Sequence, residues 1–386
     1  MKNAGTAAPK KRVLVAMSGG VDSSLTAALL LQQGYDVIGA TMQIWEGSGF
    51  LPGQEGRHGV SCCSVSAIDD ARRVAAQIGI PHYVLNFRQL FQQDVIDYFL
   101  NEYAAGRTPN PCIACNRRLK FKHLLHKALE LEADYVATGH YARIKWDDDE
   151  KRYKLLKGID AAKDQSYALF HLNQATLARF LFPLGELTKV ETRSLAKKLG
   201  LKVADKPDSQ EICFVPGNDY RAFFRTRRPE ALVPGDILDV AGNKIGTHNG
   251  LALYTVGQRR GLGLAAGRPL YVVALDSEKN AVIVGDADKV FSRGLIAGDV
   301  NFISSQPLSL PCRIMCKIRY NARESAAILE AASPDRVRVI FDVPVRAVTP
   351  GQAAVFYSGE EVIGGGTILQ SLPPFGALNV SSAMDA

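Results

Sequence analysis

Apolar and polar residues follow two different rhythms along this chain, with the change falling near residue 215. In the first part, short β-branched runs are followed by stretches with an apolar residue every three or four positions, the rhythm of strand and helix alternating in a parallel sheet. RVLVAM (12–17) predicts a buried strand, DSSLTAALLLQQG (22–34) a helix stopped at Gly34, and DVIGATMQIW (36–45) a second strand. SAIDDARRVAAQIGI (66–80) predicts a helix ended by Gly79 and Pro81, and HYVLNF (82–87) a third strand. LKFKHLLHKALELEA (119–133) has helical spacing, with its folding expected to await a partner, and DYVATGHYARI (134–144) predicts a strand running into a Gly-His turn. The Asp- and Lys-rich segment 146–158 predicts an exposed hairpin, while NQATLARFLFPLG (173–185) and TKVETRSLAKKLGL (188–201) predict two helices. From about residue 230 short alternating runs sit between glycines, which predicts all-β structure. The expected fold is therefore a doubly wound parallel α/β domain over 12–218, a small β domain over 219–292 and a β-barrel-like domain over 293–380, after a disordered leader over 1–11.

Composition adds little to this and removes some classes. At 386 residues, with 47% hydrophobic and 22% charged residues, the chain exceeds one ordinary core, and no apolar run approaches the roughly 18 residues a membrane helix needs. The leader has basic residues but no apolar segment, so it is not a secretory signal. Seven cysteines without a dense framework indicate a reducing compartment, so the expected location is cytoplasmic, with no membrane partner. A net charge of +7 gathers in four clusters, at 115–127, 220–230, 257–263 and 316–323, which favours a polyanionic partner such as a nucleic acid.

Between the first strand and its helix stands Ser-Gly-Gly-Val-Asp-Ser-Ser, residues 18–24. Gly19 and Gly20 let backbone N–H groups approach an anion, and Ser18, Ser23 and Ser24 add hydroxyls at a helix N-terminus. No lysine of the Walker type is present in the loop. Two further segments carry chemistry. RTPNPCIACNRRLKFKHLL (107–125) spaces Cys112 and Cys115 as C-x-x-C, which serves metal sites, redox disulfides and single nucleophiles alike. KPDSQEICFVPGNDY (206–220) carries Cys213.

The seven-residue loop resembles the pyrophosphate loop of the ATP pyrophosphatases, which split ATP between the α- and β-phosphates and transfer AMP to a substrate oxygen. Together with TPNPCIACNRRLKF, ATGHYAR, KDQSYAL, DSQEICF and KIRYNAR, in order from about residue 12 to 370, it resembles the 2-thiouridylase family of tRNA-modifying enzymes. The resemblance implies ATP and Mg2+ as cofactors. It places the nucleotide on Ala16, Met17, Ser18, Gly19, Gly20, Val21, Asp22 and Ser23, with Thr41, Met42 and Gly139 around the adenine and Asp22 helping to hold magnesium. It implies Cys213 as carrier of a persulfide, received from a cysteine desulfurase or relay protein, and Cys115 as the nucleophile that closes a transient disulfide with it. It implies tRNA contacts at Asn110, Pro111, Cys112, His140, Lys163, Asp164, Gln165, Arg319, Tyr320 and Gln352. The tRNAs expected are those reading lysine, glutamate and glutamine codons, and the enzyme is expected to be a monomer.

Two alternatives stay open at this stage. One is another adenylating ligase of the same superfamily, acting without Cys115 and Cys213. The other is a [4Fe-4S] cluster or zinc ion on Cys112, Cys115 and Cys213, favoured by the cysteine at position 112, where many members of the family carry aspartate. Cys62 and Cys63 are expected to be caps or inert thiols, and Cys312 and Cys316 core residues.

Overall fold

The computed structural model describes residues 10–44, 65–208, 212–265, 267–304 and 308–373. Five parallel strands form the first sheet: β1 (Arg12–Ala16), β2 (Asp36–Gln43), β3 (His82–Asn86), β4 (Tyr135–Ala137) and β7 (Phe180–Leu181), in the order β3-β2-β1-β4-β7. β1 lies in the middle. Val13 and Val15 face one apolar cluster and Leu14 the other, all three fully buried, as a strand covered on both faces by helices requires. Helix α1 (Val21–Gln32) follows β1 after four residues, and α2 (Val65–Ile78) packs beside it.

Two local expectations are corrected. The segment 173–185 is not one helix: a single turn, Gln174–Leu177, is followed by β7, because Phe180 and Leu181 pair with Val136 and Ala137 at the sheet edge. Pairing at a sheet edge overrides a weak local helical pattern here. The helix expected over 119–133 begins much earlier and is continuous from 111 to 130, through Pro111–Ala114, Cys115–His123 and Leu124–Glu130. Asn110 caps it, accepting from the N–H groups of Cys112 (3.1 Å) and Ile113 (3.2 Å), and Pro111 occupies the first helical position, where its missing N–H costs nothing. Both cysteines of the C-x-x-C therefore sit on a helix.

After a helix at Tyr220–Arg227, the chain from Gly235 on is built of β-strands joined by short turns, as its rhythm implies. Tyr271–Asp276, Ala281–Gly285, Gly235–Asp239 and Lys244–His248 form a four-stranded sheet. Beyond it, six antiparallel strands between residues 291 and 372 close into a barrel, because Phe291–Phe302 pairs with Arg336–Arg346 on one side and Glu361–Leu372 on the other. The predicted hairpin is formed by β5 (Ala142–Asp147) and β6 (Arg152–Lys157). It is not simply exposed, since it joins the edge of the barrel sheet: Leu156 lies opposite Glu361, and Arg152 and Arg143 pair with Glu361 (2.6 Å) and Glu360 (2.9 Å). The α/β domain and the barrel are thereby fastened together.

Candidate active site

The C-terminal ends of β1, β2 and β4 meet at the glycine loop, the expected ligand crevice of an open α/β sheet. Gly20 precedes α1 in an extended conformation and no side chain caps the helix, so its first N–H groups are available to an anion. Ser23 Oγ braces the loop, accepting from Ser18 N (3.0 Å) and donating to Gly20 O (3.3 Å). Ser24 Oγ is buried with no partner. Gly19 has φ of 68°, and a Cβ there would lie 2.1 Å from the carbonyl oxygen of Ala67 in α2. Gly139 packs on the loop so closely that a Cβ would lie 2.9 Å from Ser23 N. Ala16 and Met17 lead into the loop, Val21 begins α1, Thr41 Oγ1 donates to Met17 O (2.7 Å), and Met42 is buried at the end of β2. The residues expected around the nucleotide are thus together in space.

Asp22 is engaged by residues that sequence reasoning missed. Lys189 Nζ lies 2.7 and 2.8 Å from its two oxygens, and Tyr141 OH donates to Oδ1 at 2.9 Å. Tyr141 in turn meets Thr192 Oγ1 (3.0 Å), and its phenol is pushed up by burial and by Asp22. Lys189 also pairs with Asp208 (2.8 Å), on which Lys163 (2.8 Å) and Arg193 (2.9 Å) converge. Burial opposes ionisation of Asp208, yet hydrogen bonds from Lys163 and Lys189 hold its carboxyl at about 2. The donor set suits magnesium, which takes one or two carboxylates and completes its shell with phosphate oxygens and water. Asp22 would be the carboxylate.

Cys112 is exposed at the helix start, Cys115 is half-buried one turn on, and Cys213 is half-buried; all three are thiols. Phe214, next to Cys213, is a core anchor in edge contact with Phe91, Phe99 and Phe223 at 5.2–5.6 Å between centroids. Ser209, Gln210 and Glu211 lie outside the described residues, as do Cys62 and Cys63. The basic residues after Cys115 are not a simple positive field: Arg117 forms a two-armed pair with Asp299 of the barrel, and Arg118 packs on the Tyr98 ring (5.0 Å) and donates to Asp94 O (3.2 Å). Among the described residues no group of three His, Cys, Asp or Glu side chains is arranged to hold a metal ion. Cys316 is a core thiol, raised far above its usual range by burial, whereas Cys312, also expected in the core, is only partly buried at the start of its strand, and burial raises it too.

Residues 11–217 match the family described as the tRNA methyl transferase HUP domain, 221–286 its PRC-barrel domain, and 292–368 an aminomethyltransferase β-barrel domain. The chain is 56% identical over 363 residues to the tRNA-specific 2-thiouridylase MnmA of Carboxydothermus hydrogenoformans, covering 94% of this chain and 99% of that one. It is 54% identical over 363 residues to the protein of the same name from Acetivibrio thermocellus, covering 93% and 99%. The chain belongs to the tRNA-specific 2-thiouridylase family.

The positions that the 2-thiouridylase resemblance assigns to tRNA divide into two groups in this family member. Tyr320 lies partly exposed on the barrel, its phenol raised by partial burial and then by the charges of Asp164 and Cys112, and Arg319 adjoins it. Other side chains also bond within the protein. Asp164 accepts from Gly158 N, Ser166 N and Ser166 Oγ and so holds a turn. Gln165 Oε1 accepts from Tyr141 N (3.0 Å). Gln352 Nε2 donates to Thr108 O (2.9 Å) and Pro109 O (3.2 Å), tying the loop before Cys112 to the barrel. Gln352→Ala is expected to lower unfolding stability by about 1–2 kcal/mol, because two carbonyls lose their donor. Faster amide exchange at Thr108 would accompany that change.

His140 is buried, with Nδ1 2.6 Å from Thr138 Oγ1, and packs on Phe121 and Phe182. Burial, with Lys120 and His171 adding, holds its pKa well below the usual range. Both ring nitrogens of His171 are buried without partners, and burial with Arg117, opposed by Asp299, brings it to about 3. The sign follows from linkage: below the unfolded value of about 6.5 the unfolded chain binds protons that the native chain refuses. Stability is fully present above pH 6.5 and falls by about 1.4 kcal/mol per pH unit for each histidine as pH drops toward the depressed values. Urea midpoints should be lower at pH 5.5 than at 7.5, and His171→Phe should flatten the difference.

Proposed function

We propose that this chain carries out ATP-dependent 2-thiolation of the wobble uridine of tRNA, the activity for which its relatives are named. The single observation that carries the reading is the joining, in one chain, of an uncapped glycine-serine cradle at the ends of parallel strands with partly exposed thiols on a barrel-fastened helix and beside the core anchor Phe214. In the cradle the α1 amides, Ser18 and Ser23 orient the triphosphate, and Gly139 keeps the backbone close to it. The uridine 2-oxygen attacks the α-phosphorus, and the bond to the bridging oxygen breaks, its electron pair leaving with pyrophosphate. Magnesium, when bound, neutralises phosphate charge beside Asp22.

Adenylation turns the 2-oxygen into part of a good leaving group. The terminal sulfur of a Cys213 persulfide then attacks carbon 2, and AMP departs with the electron pair of the carbon–oxygen bond. Cys115 thiolate attacks the Cys213 sulfur, forming the Cys115–Cys213 disulfide and releasing thiouridine, and a dithiol restores both thiols by two-electron reduction. A cysteine desulfurase or relay protein supplies the persulfide, in the cytoplasm. The tRNAs for lysine, glutamate and glutamine are the substrates. Enzymes that modify base atoms extrude the base, and the helix start at Asn110, Pro111 and Cys112 is where it would be met.

The nucleotide products test the adenylation half directly. With substrate tRNA, ATP and magnesium, AMP and pyrophosphate should appear together, dependent on tRNA. ADP and phosphate instead would contradict the reading.

A further inference from the structure

The glycine loop contains no lysine, yet the pyrophosphate that leaves it carries several negative charges. The fold brings two lysines to the loop from elsewhere. Lys206 Nζ donates to Gly19 O at 3.0 Å and pairs with Asp70, holding the loop by a carbonyl while its N–H groups stay available. Lys189 reaches Asp22 across 167 positions of sequence and is itself only 9% exposed.

Lys189 is oddly placed for a structural residue. It is the first residue of the helix Lys189–Lys198, capped by Thr188, where the helix dipole disfavours a cation. Burial disfavours it again. Two carboxylates and the Tyr141 ring (5.6 Å) hold it there. Of these carboxylates, Asp208 is also bound by Lys163 and Arg193, whereas Asp22 projects from the loop itself. An ammonium shared between a fixed carboxylate and one at the anion site can turn toward an arriving anion without losing its other partner.

We propose that Lys189 is a pyrophosphate-binding residue, supplying from outside the loop the charge that a lysine within it supplies in other nucleotide-binding loops. With the triphosphate on the α1 amides, the Lys189 ammonium exchanges its bond to Asp22 for the β- and γ-phosphate oxygens, keeping Asp208. As the bond to the α-phosphorus breaks, the added negative charge on pyrophosphate develops next to a cation already in place. This deepens the ATP-dependent reading and rests on it.

The test is binding of magnesium pyrophosphate, and separately AMP, to the full chain by calorimetry, in wild type, Lys189→Met and Lys189→Arg. Loss of one partner of a buried charge pair predicts that Lys189→Met weakens pyrophosphate by about 10- to 100-fold, with Lys189→Arg recovering most of the loss. AMP affinity should change by less than about threefold, since AMP lacks the β- and γ-phosphates. Equal losses for both ligands, or an unchanged pyrophosphate affinity in a folded Lys189→Met protein, would overturn the proposal. If Lys189→Met does not fold, Lys189→Gln and Lys189→Arg carry the comparison, and a Lys189→Arg protein that binds pyrophosphate no better than Lys189→Gln overturns it. Failure of the wild type to bind either ligand would instead overturn the ATP-dependent reading.

Discussion

Cys213→Ser is expected to abolish thiouridine formation, to below about a thousandth of wild type, while leaving ATP binding and tRNA-dependent AMP formation in place. A serine hydroxyl cannot hold a terminal sulfur, so no sulfur reaches the adenylated base. Phe214, buried among Phe91, Phe99 and Phe223, keeps the segment anchored in the variant, so the loss is chemical and not one of folding. Cys115→Ser should fail differently. Its Cys213 still delivers sulfur to carbon 2, but nothing breaks the sulfur–sulfur bond, so a protein–tRNA adduct should accumulate that dithiothreitol cleaves. Cys112→Ser should retain activity within about tenfold, because in the two-thiol scheme it accepts no electrons. Equal loss in all three variants, with iron and sulfide bound to anaerobically purified wild type, would point to the cluster alternative.

Gly19→Ala is expected to lower kcat/KM for ATP-dependent adenylation by at least about 100-fold, since misplacing reacting groups by about 1 Å costs that much. The methyl group would lie 2.1 Å from a backbone oxygen of α2 and the residue would keep a positive φ, so the loop or the helix must move. In Gly20→Ala the nearest atom is Ser18 Oγ at 3.6 Å, and the loss should be at least about tenfold smaller than for Gly19→Ala. Steady-state AMP release for the two variants, with thermal melting as a check on folding, makes the comparison. Similar losses would mean that glycine at both positions serves close approach to phosphate and not backbone geometry.

The loop, its strand and its helix were legible in sequence because the whole device is contiguous: β-branched run, glycines, serines, amphipathic helix. The charge network around it was not, because Asp22, Tyr141, Lys189 and Asp208 meet only through the fold. One signal was available: Thr188 and Glu191 mark a helix start, and a lysine at the first position opposes the dipole. Asn110 and Pro111 look like loop formers, yet they cap and begin the cysteine helix, which hid its true start. Gln352 and His140, expected as RNA contacts, also bind the Thr108 loop and Thr138, bonds between residues too far apart or too ordinary in type for any motif to reveal.

The most direct measurement is mass analysis of the anticodon uridine after incubating substrate tRNA with the protein, ATP, magnesium and a persulfide source. Wild type should exchange one oxygen for sulfur in an ATP-dependent manner, and Cys213→Ser should leave the nucleoside unchanged. Sulfur incorporation that persists in Cys213→Ser, or without ATP, or a methyl group in place of sulfur, would contradict the account.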